Sequence, residues 1–383
     1  MNVLIVTSDV DTLKEGTAAR RAITEYATLV KHLFVIVLND RREKCEMQKV
    51  SEELWIFPVN ALRWWTAPFE AVAVARREVW FQGTLQADLV SALDPSEAGV
   101  AGMLISRFSR RPLQVHVEHD MFGSRFASES FRNWVRARAA RTVVTGADGI
   151  RVVTKHMQDV LSKMGNKVTS RITLLPRFID VSGLADEPIK VDLHTKYPHF
   201  KFLMLMVAPL IPEQNVGLGL EVLHGVLKFY THAGLVIVGE GSEQKRLEKR
   251  IQELGLTDKV AFETIAEDLP SYYKTANVFL VTAIYDEYGD TIVAAAACGC
   301  PIVTTNVGVA ANIIEHGDSG FLCDPSKPQT FVMSIVSMIR NPGIRERMKV
   351  NGELFIQDHI AQTKAEYLAQ YAALWTALIK KHE

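Results

Sequence analysis

The segment VFLVTAIYDEYGDTIVAAAACGCP, Val278 to Pro301, allows few architectures. Its apolar, β-branched run Val278–Ile284 fits a short strand buried on both faces, as in parallel sheets. A polar loop over Asp286–Gly289 follows, with Gly289 as the hinge. The spacing predicts a helix over Thr291–Cys298, capped by Asp290, whose carboxylate would accept a free first-turn N–H. Gly299 can close that helix in the left-handed conformation, and Pro301 cannot continue it. Ile302–Thr305 then reads as the next strand. A strand, a crossover helix and a second strand predict an open α/β sheet. The helix N-terminus would face the carboxyl edge of the sheet, where such folds bind ligands. There Thr291 and Ile292 present N–H groups to a phosphate or a sugar hydroxyl. Asp286, Glu287 and Asp290 can accept hydrogen bonds from sugar or ribose hydroxyls. The same three carboxylates also suit a solvated acidic loop.

The pattern recurs along the 383 residues, a length that suits two domains of ordinary size. Asn2–Thr7 is a strand, Ser8–Gly16 a loop, Thr17–His32 an amphipathic helix and Phe34–Leu38 the second strand. This opening unit lacks G-x-G-x-x-G, so a dinucleotide fingerprint is absent. Gly16 and Arg20 still stand at its loop and helix start, where a phosphate can be touched. Further strands are read at Trp55–Val59, Leu89–Leu93, Leu113–Val117, Gly149–Thr154 and Arg171–Leu175, with helices over Leu62–Gln82 and Ser128–Thr145. Residues 184–198 are polar and read as a linker between an N-terminal domain, 1–183, and a C-terminal domain, 199–357. In the second domain Leu235–Val238 leads into the tight turn Gly239-Glu240-Gly241, and Gly308 precedes a short helix. The last segment, 358–383, places Tyr367, Tyr371, Trp375 and Leu378 at helical spacing. That apolar face is expected to return to the N-terminal domain. The fold class expected is α/β, with two doubly wound, Rossmann-like domains.

Composition narrows the function classes. Hydrophobic residues make up 48% of the chain, enough for two sizeable cores. No apolar run reaches the roughly 20 residues of a membrane helix. The first residues, MNVLIVTSDV, carry no basic leader, so a cytoplasmic chain is expected, at most peripheral to a membrane. Cys45, Cys298, Cys300 and Cys323 lack metal-ligand spacing and read as reduced thiols. There is no H-x-x-x-H, G-x-S-x-G or P-loop. Net charge is −1, from 43 basic and 44 acidic residues. Residues 1–180 hold 25 basic and 20 acidic residues, leaving 43 − 25 = 18 against 44 − 20 = 24 for the rest. That split of +5 and −6 does not point to nucleic acid, but it gives the first half a basic character.

The runs LVIVGEGSEQKRLEKRIQELGLTDKVAF, LPSYYKTANVFLVTAIYDEYGDTIVAAAACGCPIVTTNVG and IIEHGDSGFLCDP resemble the family 4 retaining glycosyltransferases of GT-B fold. The likeness covers most of Phe202–Asn341. It is weaker in the first half, where IRVVTKHMQDVLSKMG, RITLLPRFID and VHVEHD are similar to family segments. The resemblance implies two Rossmann-like domains facing each other across a cleft, and transfer of a sugar from a nucleotide-sugar to an acceptor with retention of configuration. It implies no metal and no resident cofactor, with the leaving phosphate serving as base.

Several family positions are substituted. The pair of glutamates that contact sugar and ribose reads Asp286 and Ala294, with Glu287 adjacent to the first. The arginine and lysine that clamp the diphosphate read Pro209 and Gln214. The glycine pair and glutamate near Gly308 read Gly308-Val309 and Asn312. The Asn-Gly that follows the proline at the end of the first domain reads Arg177-Phe178. A diphosphate leaving group accumulates negative charge, and one lost donor costs on the order of 10²–10³ in rate. Arg177, Arg20 and the helix start at Asp290–Ile292 are the compensating groups at hand.

His119 matches the family's N-domain histidine that reaches the donor sugar; Asp286 and Glu287 would hold sugar hydroxyls. His116, on the same strand, reads as structural. The arginines 125, 132, 136, 138 and 141, beside Phe131 and Trp134 and near the Trp-rich stretch 62–82, suit an anionic membrane surface or a lipid phosphate. They equally suit a solvated helix face. The expected acceptor is a glycan or a lipid-linked molecule. Two other functions fit the sequence: a binding or scaffold protein that has lost the donor clamp, and a two-domain sugar-nucleotide epimerase.

Overall fold

The computed structural model describes residues 1–81, 86–118, 121–264, 268–285, 288–360 and 363–382, the side chains of residues 43, 81, 124, 125, 129, 358 and 359 excepted. The chain forms two compact units, Met1–Arg177 with Thr363–Glu383, and Phe178–Gln362.

The first unit is built on an eight-stranded sheet. Its strands are β1 (Asn2–Thr7), β2 (His32–Val37), β3 (Gln48–Lys49), β4 (Leu54–Pro58), β5 (Leu89–Ala92), β6 (Leu113–Val117), β7 (Gly149–Val152) and β8 (Ile172–Leu174). Their order is β3-β4-β2-β1-β5-β6-β7-β8. All pairs are parallel except β3 with β4, where the two-residue edge strand runs antiparallel. The runs VLIV of β1 and LFVIV of β2 are buried along their length, because helices cover both faces of the sheet.

Two helices differ from their sequence pattern. The helix expected over Leu62–Gln82 begins only at Ala67, where Pro68 occupies the first turn and needs no N–H partner. It runs to Val74 and continues as a wider π-type turn over Ala75–Phe81. Trp64 and Trp65 therefore sit on a loop after β4. Gln82 lies outside the described residues. The single helix expected over Ser128–Thr145 is two, Ser124–Glu129 and Phe131–Gly146. Ser130 is extended between them, and its hydroxyl accepts the N–H of Asn133 at 3.1 Å, starting the second helix afresh.

The tail helix Lys364–His382 belongs to the first unit. Tyr367, Tyr371 and Trp375 are buried, and the Tyr371 ring stacks on Tyr26 with centroids 4.5 Å apart. Beneath them lies a polar cluster. Trp375 Nε1 donates to Gln114 Oε1 at 2.9 Å, Tyr371 Oη lies 3.1 Å from His116 Nε2, and Arg151 donates to Tyr367 Oη at 3.2 Å. The buried Arg151 also donates to the carbonyls of Leu175 and Pro176. Each of these named side chains is paired, which removes most of the cost of burying it.

The second unit carries a six-stranded, all-parallel sheet: β9 (Phe202–Val207), β10 (Ala233–Val238), β11 (Val260–Glu263), β12 (Val278–Val281), β13 (Ile302–Thr305) and β14 (Phe321–Cys323). The order is β11-β10-β9-β12-β13-β14. The sequence turns back across β9, so the carboxyl ends of β9 and β12 flank the switch point at which such sheets bind ligands. Residues 184–198 belong to this unit. Lys190 N–H donates to Ser271 Oγ, and Lys196 lies 2.7 Å from Glu263. Tyr197 also donates to Glu263, at 2.6 Å.

Candidate functional site

The helix after β12 runs over Asp290–Ala297. Its N-cap is Gly289, at φ +91°, and no side chain caps it. Asp290, expected as the cap, is instead the first helical residue and is exposed. The left-handed turn at Gly289 brings its carbonyl round to accept from Ile292 N–H at 2.9 Å and Val293 N–H at 3.2 Å. That pattern leaves the N–H groups of Asp290 and Thr291 unused by the helix. The helix has the length and orientation to present a positive dipole end. The Ile292 side chain is buried and serves packing.

Gly308 and Gly239 knit the surrounding loops together. Gly308 has φ +51°, and a Cβ there would lie 2.3 Å from the carbonyl oxygen of Tyr288. The next residue, Val309, donates its N–H to that same carbonyl at 2.6 Å. Gly239 has φ +144°, with Ala208 O only 2.1 Å from where a Cβ would stand. These positions require glycine for backbone approach, and they fix the loops after β9, β10, β12 and β13 around one edge.

Between the ends of β9 and β12 is a small cavity of about 50 Å³, lined by Pro209, Gln214, Thr282 and Thr291 among others. Gln214 closes a short turn, Pro212–Gln214, whose carbonyl accepts from Thr282 Oγ1 at 3.3 Å. Gln214 and Thr291 are thus brought together. No lysine or arginine is among the described lining residues. A second cavity of about 360 Å³ opens at the ends of β12, β13 and β14 and includes Ile284, Asn306 and Asp324. Its volume lies within the range of small-molecule sites. Asn306 and Asp324 escaped the sequence reading. Their position one residue beyond a strand end is the signal that marks them.

In the first unit Gly16 turns the chain at φ +77° with open space about it. Arg20 points inward: it is buried, and its guanidinium donates to Thr12 O at 2.9 Å and Gln48 Oε1 at 2.8 Å. Burial lowers its pKa, with Glu15 acting in the opposite direction. Arg177 lies 3.9 Å from Glu118, which also meets Arg151 at 3.3 Å. His116 is buried against Ser91, Gln114 and Tyr371, and burial holds it well below the ordinary histidine pKa, so it is neutral. His119, Asp286 and Glu287 lie outside the described residues.

The carboxyl edge of the first sheet carries a cavity of about 600 Å³, formed by Ser8 after β1, Asn39, Asp40 and Arg42 after β2, the Ala61–Trp65 loop after β4, and Glu97. Glu97 is gripped by Arg136 at 2.7 Å and Arg132 at 3.3 Å. Burial would raise the Glu97 carboxyl, but hydrogen bonds from Arg136 and Ser96 outweigh it and hold it below the usual range. Among the described residues no cluster of His, Cys, Asp or Glu could hold a metal, and no helix is long and apolar enough to cross a membrane.

Solved structures with this arrangement define the fold. Anabaena HepE in complex with UDP matches with a TM-score of 0.75 at 19% identity, over 98% of this chain and 100% of that one. The fold is the GT-B fold, with two Rossmann-like units. Residues 194–355 match the family model described as Glycosyl transferases group 1. An uncharacterized glycosyltransferase of Haemophilus influenzae is 26% identical over 41% of this chain and 44% of its own. The chain spans less than half the length of the first curated relatives it matches. The alpha-monoglucosyldiacylglycerol synthase of Acholeplasma laidlawii is 23% identical over 99% of this chain and 94% of its own length.

Proposed function

We propose that the chain is a glycosyltransferase that moves a sugar from a nucleotide-sugar to an acceptor with retention of configuration. The observation that carries this reading is the edge between β9 and β12. Gln214 and Thr291 meet there beside unused helix N–H groups, inside the segment that matches the glycosyl transferase group 1 model. The GT-B neighbour bound to UDP supports a nucleotide-sugar donor. The full-length likeness to a synthase named for a diacylglycerol product supports a glycan or lipid-linked acceptor.

In the proposed step the bond from the sugar's anomeric carbon to the diphosphate oxygen breaks as the acceptor oxygen adds to that carbon from the same face. The acceptor's proton passes to the leaving diphosphate, so a nucleoside diphosphate and a glycoside result. No resident cofactor or metal is invoked. The N–H groups at Asp290 and Thr291, with the amide of Gln214, would meet the diphosphate, and Asp286 or Glu287 the sugar hydroxyls. His119 would complete the sugar pocket and Arg177 would supply a cation. Gly239, Gly289 and Gly308 would shape the loops around the donor.

The test is calorimetric titration of the full chain with UDP, GDP and ADP and with their sugar conjugates. One nucleotide series should bind with a micromolar to millimolar constant, and Thr291→Pro, which removes an N–H from the first turn, should weaken it at least tenfold. Absence of binding in every series overturns the reading and leaves the scaffold function.

A further inference from the structure

The 600 Å³ cavity of the first unit opens onto a surface that the transfer step does not explain. Its lining holds Arg42, Arg63, Arg132 and Arg136 against Asp40 and Glu97 among the described residues. Two of these guanidinium groups lie over indole faces: Arg132 is 4.8 Å from the Trp64 ring centroid and Arg63 is 4.9 Å from that of Trp65. The two indoles meet edge to face at 5.6 Å. Stacking holds these guanidinium planes in place, and a planar fork of that kind suits the oxygens of a phosphate.

In and around the cavity, large apolar side chains stand in water. Phe131 is 78% exposed, Phe69 65% and Leu62 62%. Trp65 and Trp134 are half-exposed, Phe131 stacks on Trp134 at 5.9 Å, and Arg138 lies 5.8 Å over the Trp134 ring. The two sides are one patch: Arg132, next to Phe131 on its helix, reaches across to the Trp64 ring. A water-soluble anion would use the arginines and leave these rings idle. A bilayer surface uses both: aromatic rings settle at the headgroup level, and arginines pair with anionic lipid phosphates.

We propose that this Arg/Trp face docks on the surface of a membrane containing anionic phospholipid, and that the cavity takes the phosphate head group of a lipid in that surface. The proposal rests on the transferase reading and deepens it, since it names a membrane phospholipid as the class of acceptor.

The experiment is flotation of the full chain with vesicles of phosphatidylcholine alone and with about 30% phosphatidylglycerol, at ~0.1 and ~0.5 M salt. Binding is expected to the anionic vesicles only, with a loss of about tenfold or more at the higher salt. Phe131→Ala with Trp134→Ala should reduce it at least tenfold. So should Arg63→Gln with Arg132→Gln. The melting temperature of the exposed-aromatic variant should be unchanged, which separates docking from folding. Equal binding to both vesicle types, or none to either, overturns the proposal. So does stabilisation by millimolar glycerol 1-phosphate without vesicle binding, which would make the site one for a free phosphate. Nucleotide titration of the full chain reads out separately. Vesicle binding without nucleotide binding would keep this surface and remove the transferase reading; the reverse would do the opposite.

Discussion

At position 214 a glutamine stands where the family resemblance expects a clamping lysine, and the cavity it lines has no described cation. A unit charge about 4 Å from a phosphate is worth roughly 4 kcal/mol at the effective dielectric of a protein surface. Side-chain ordering and salt screening return much of that. Gln214→Lys is therefore expected to tighten binding of a nucleoside diphosphate about tenfold, an effect that calorimetry should see shrink at high salt. Gly239→Ala tests the loop crossing. Its Cβ has no room against Ala208 O, and the strained backbone should cost about 1–3 kcal/mol in urea unfolding. The buried His116 gives a pH signature. The folded state keeps the ring neutral, whereas an unfolded chain protonates it near pH 6.5. On acidification the unfolded state thus takes up the proton first. Its share of stability is complete above about pH 6.5 and is lost below it, at no more than about 1.4 kcal/mol per pH unit. His116→Gln should flatten the stability profile between about pH 5 and 6.5 relative to the parent; an unchanged slope would contradict the assignment.

Among elements, the tail helix carries the largest single wager. Trp375 is fully buried and hydrogen-bonded to Gln114, so Trp375→Ala removes packing and the shortest of the hydrogen bonds to Gln114 Oε1. A loss of about 3–5 kcal/mol is expected in chemical denaturation. Elements were also what the sequence disclosed best. Strands buried on both faces print themselves as uninterrupted apolar runs, which is why β1, β6, β9 and β13 are found with the bounds read from the sequence. Starts of helices were less legible. The shift of the cap from Asp290 to Gly289 depends on a left-handed turn, and the break at Ser130 on one hydroxyl; hydrophobic periodicity registers neither. The candidate site was readable as positions after strand ends, as at Gln214 and Thr291, which line one cavity. It was not legible where partners are distant in sequence. Arg20 is occupied by Gln48 on an edge strand only two residues long, and nothing local to Arg20 announces it.

Taken whole, the chain assigns its two units unequally. The second is continuous from Phe178 to Gln362, whereas the first is made from both ends of the sequence. A fragment spanning 178–362 is expected to unfold cooperatively on its own. A fragment of residues 1–177 should expose Tyr26, Gln114 and His116 and aggregate, and a peptide of residues 363–382 supplied in trans should restore its native circular dichroism and solubility. If the short fragment were stable without the peptide, the tail helix would be an ornament. The same arrangement sets an order of events during synthesis, when domains otherwise tend to fold as they emerge. The unit begun first has to wait, with part of one face uncovered, until residues 363–382 clear the ribosome, while the unit translated between can already be finished. A stop codon falling at or soon after Thr363 would thus spoil the opening unit and spare the middle one.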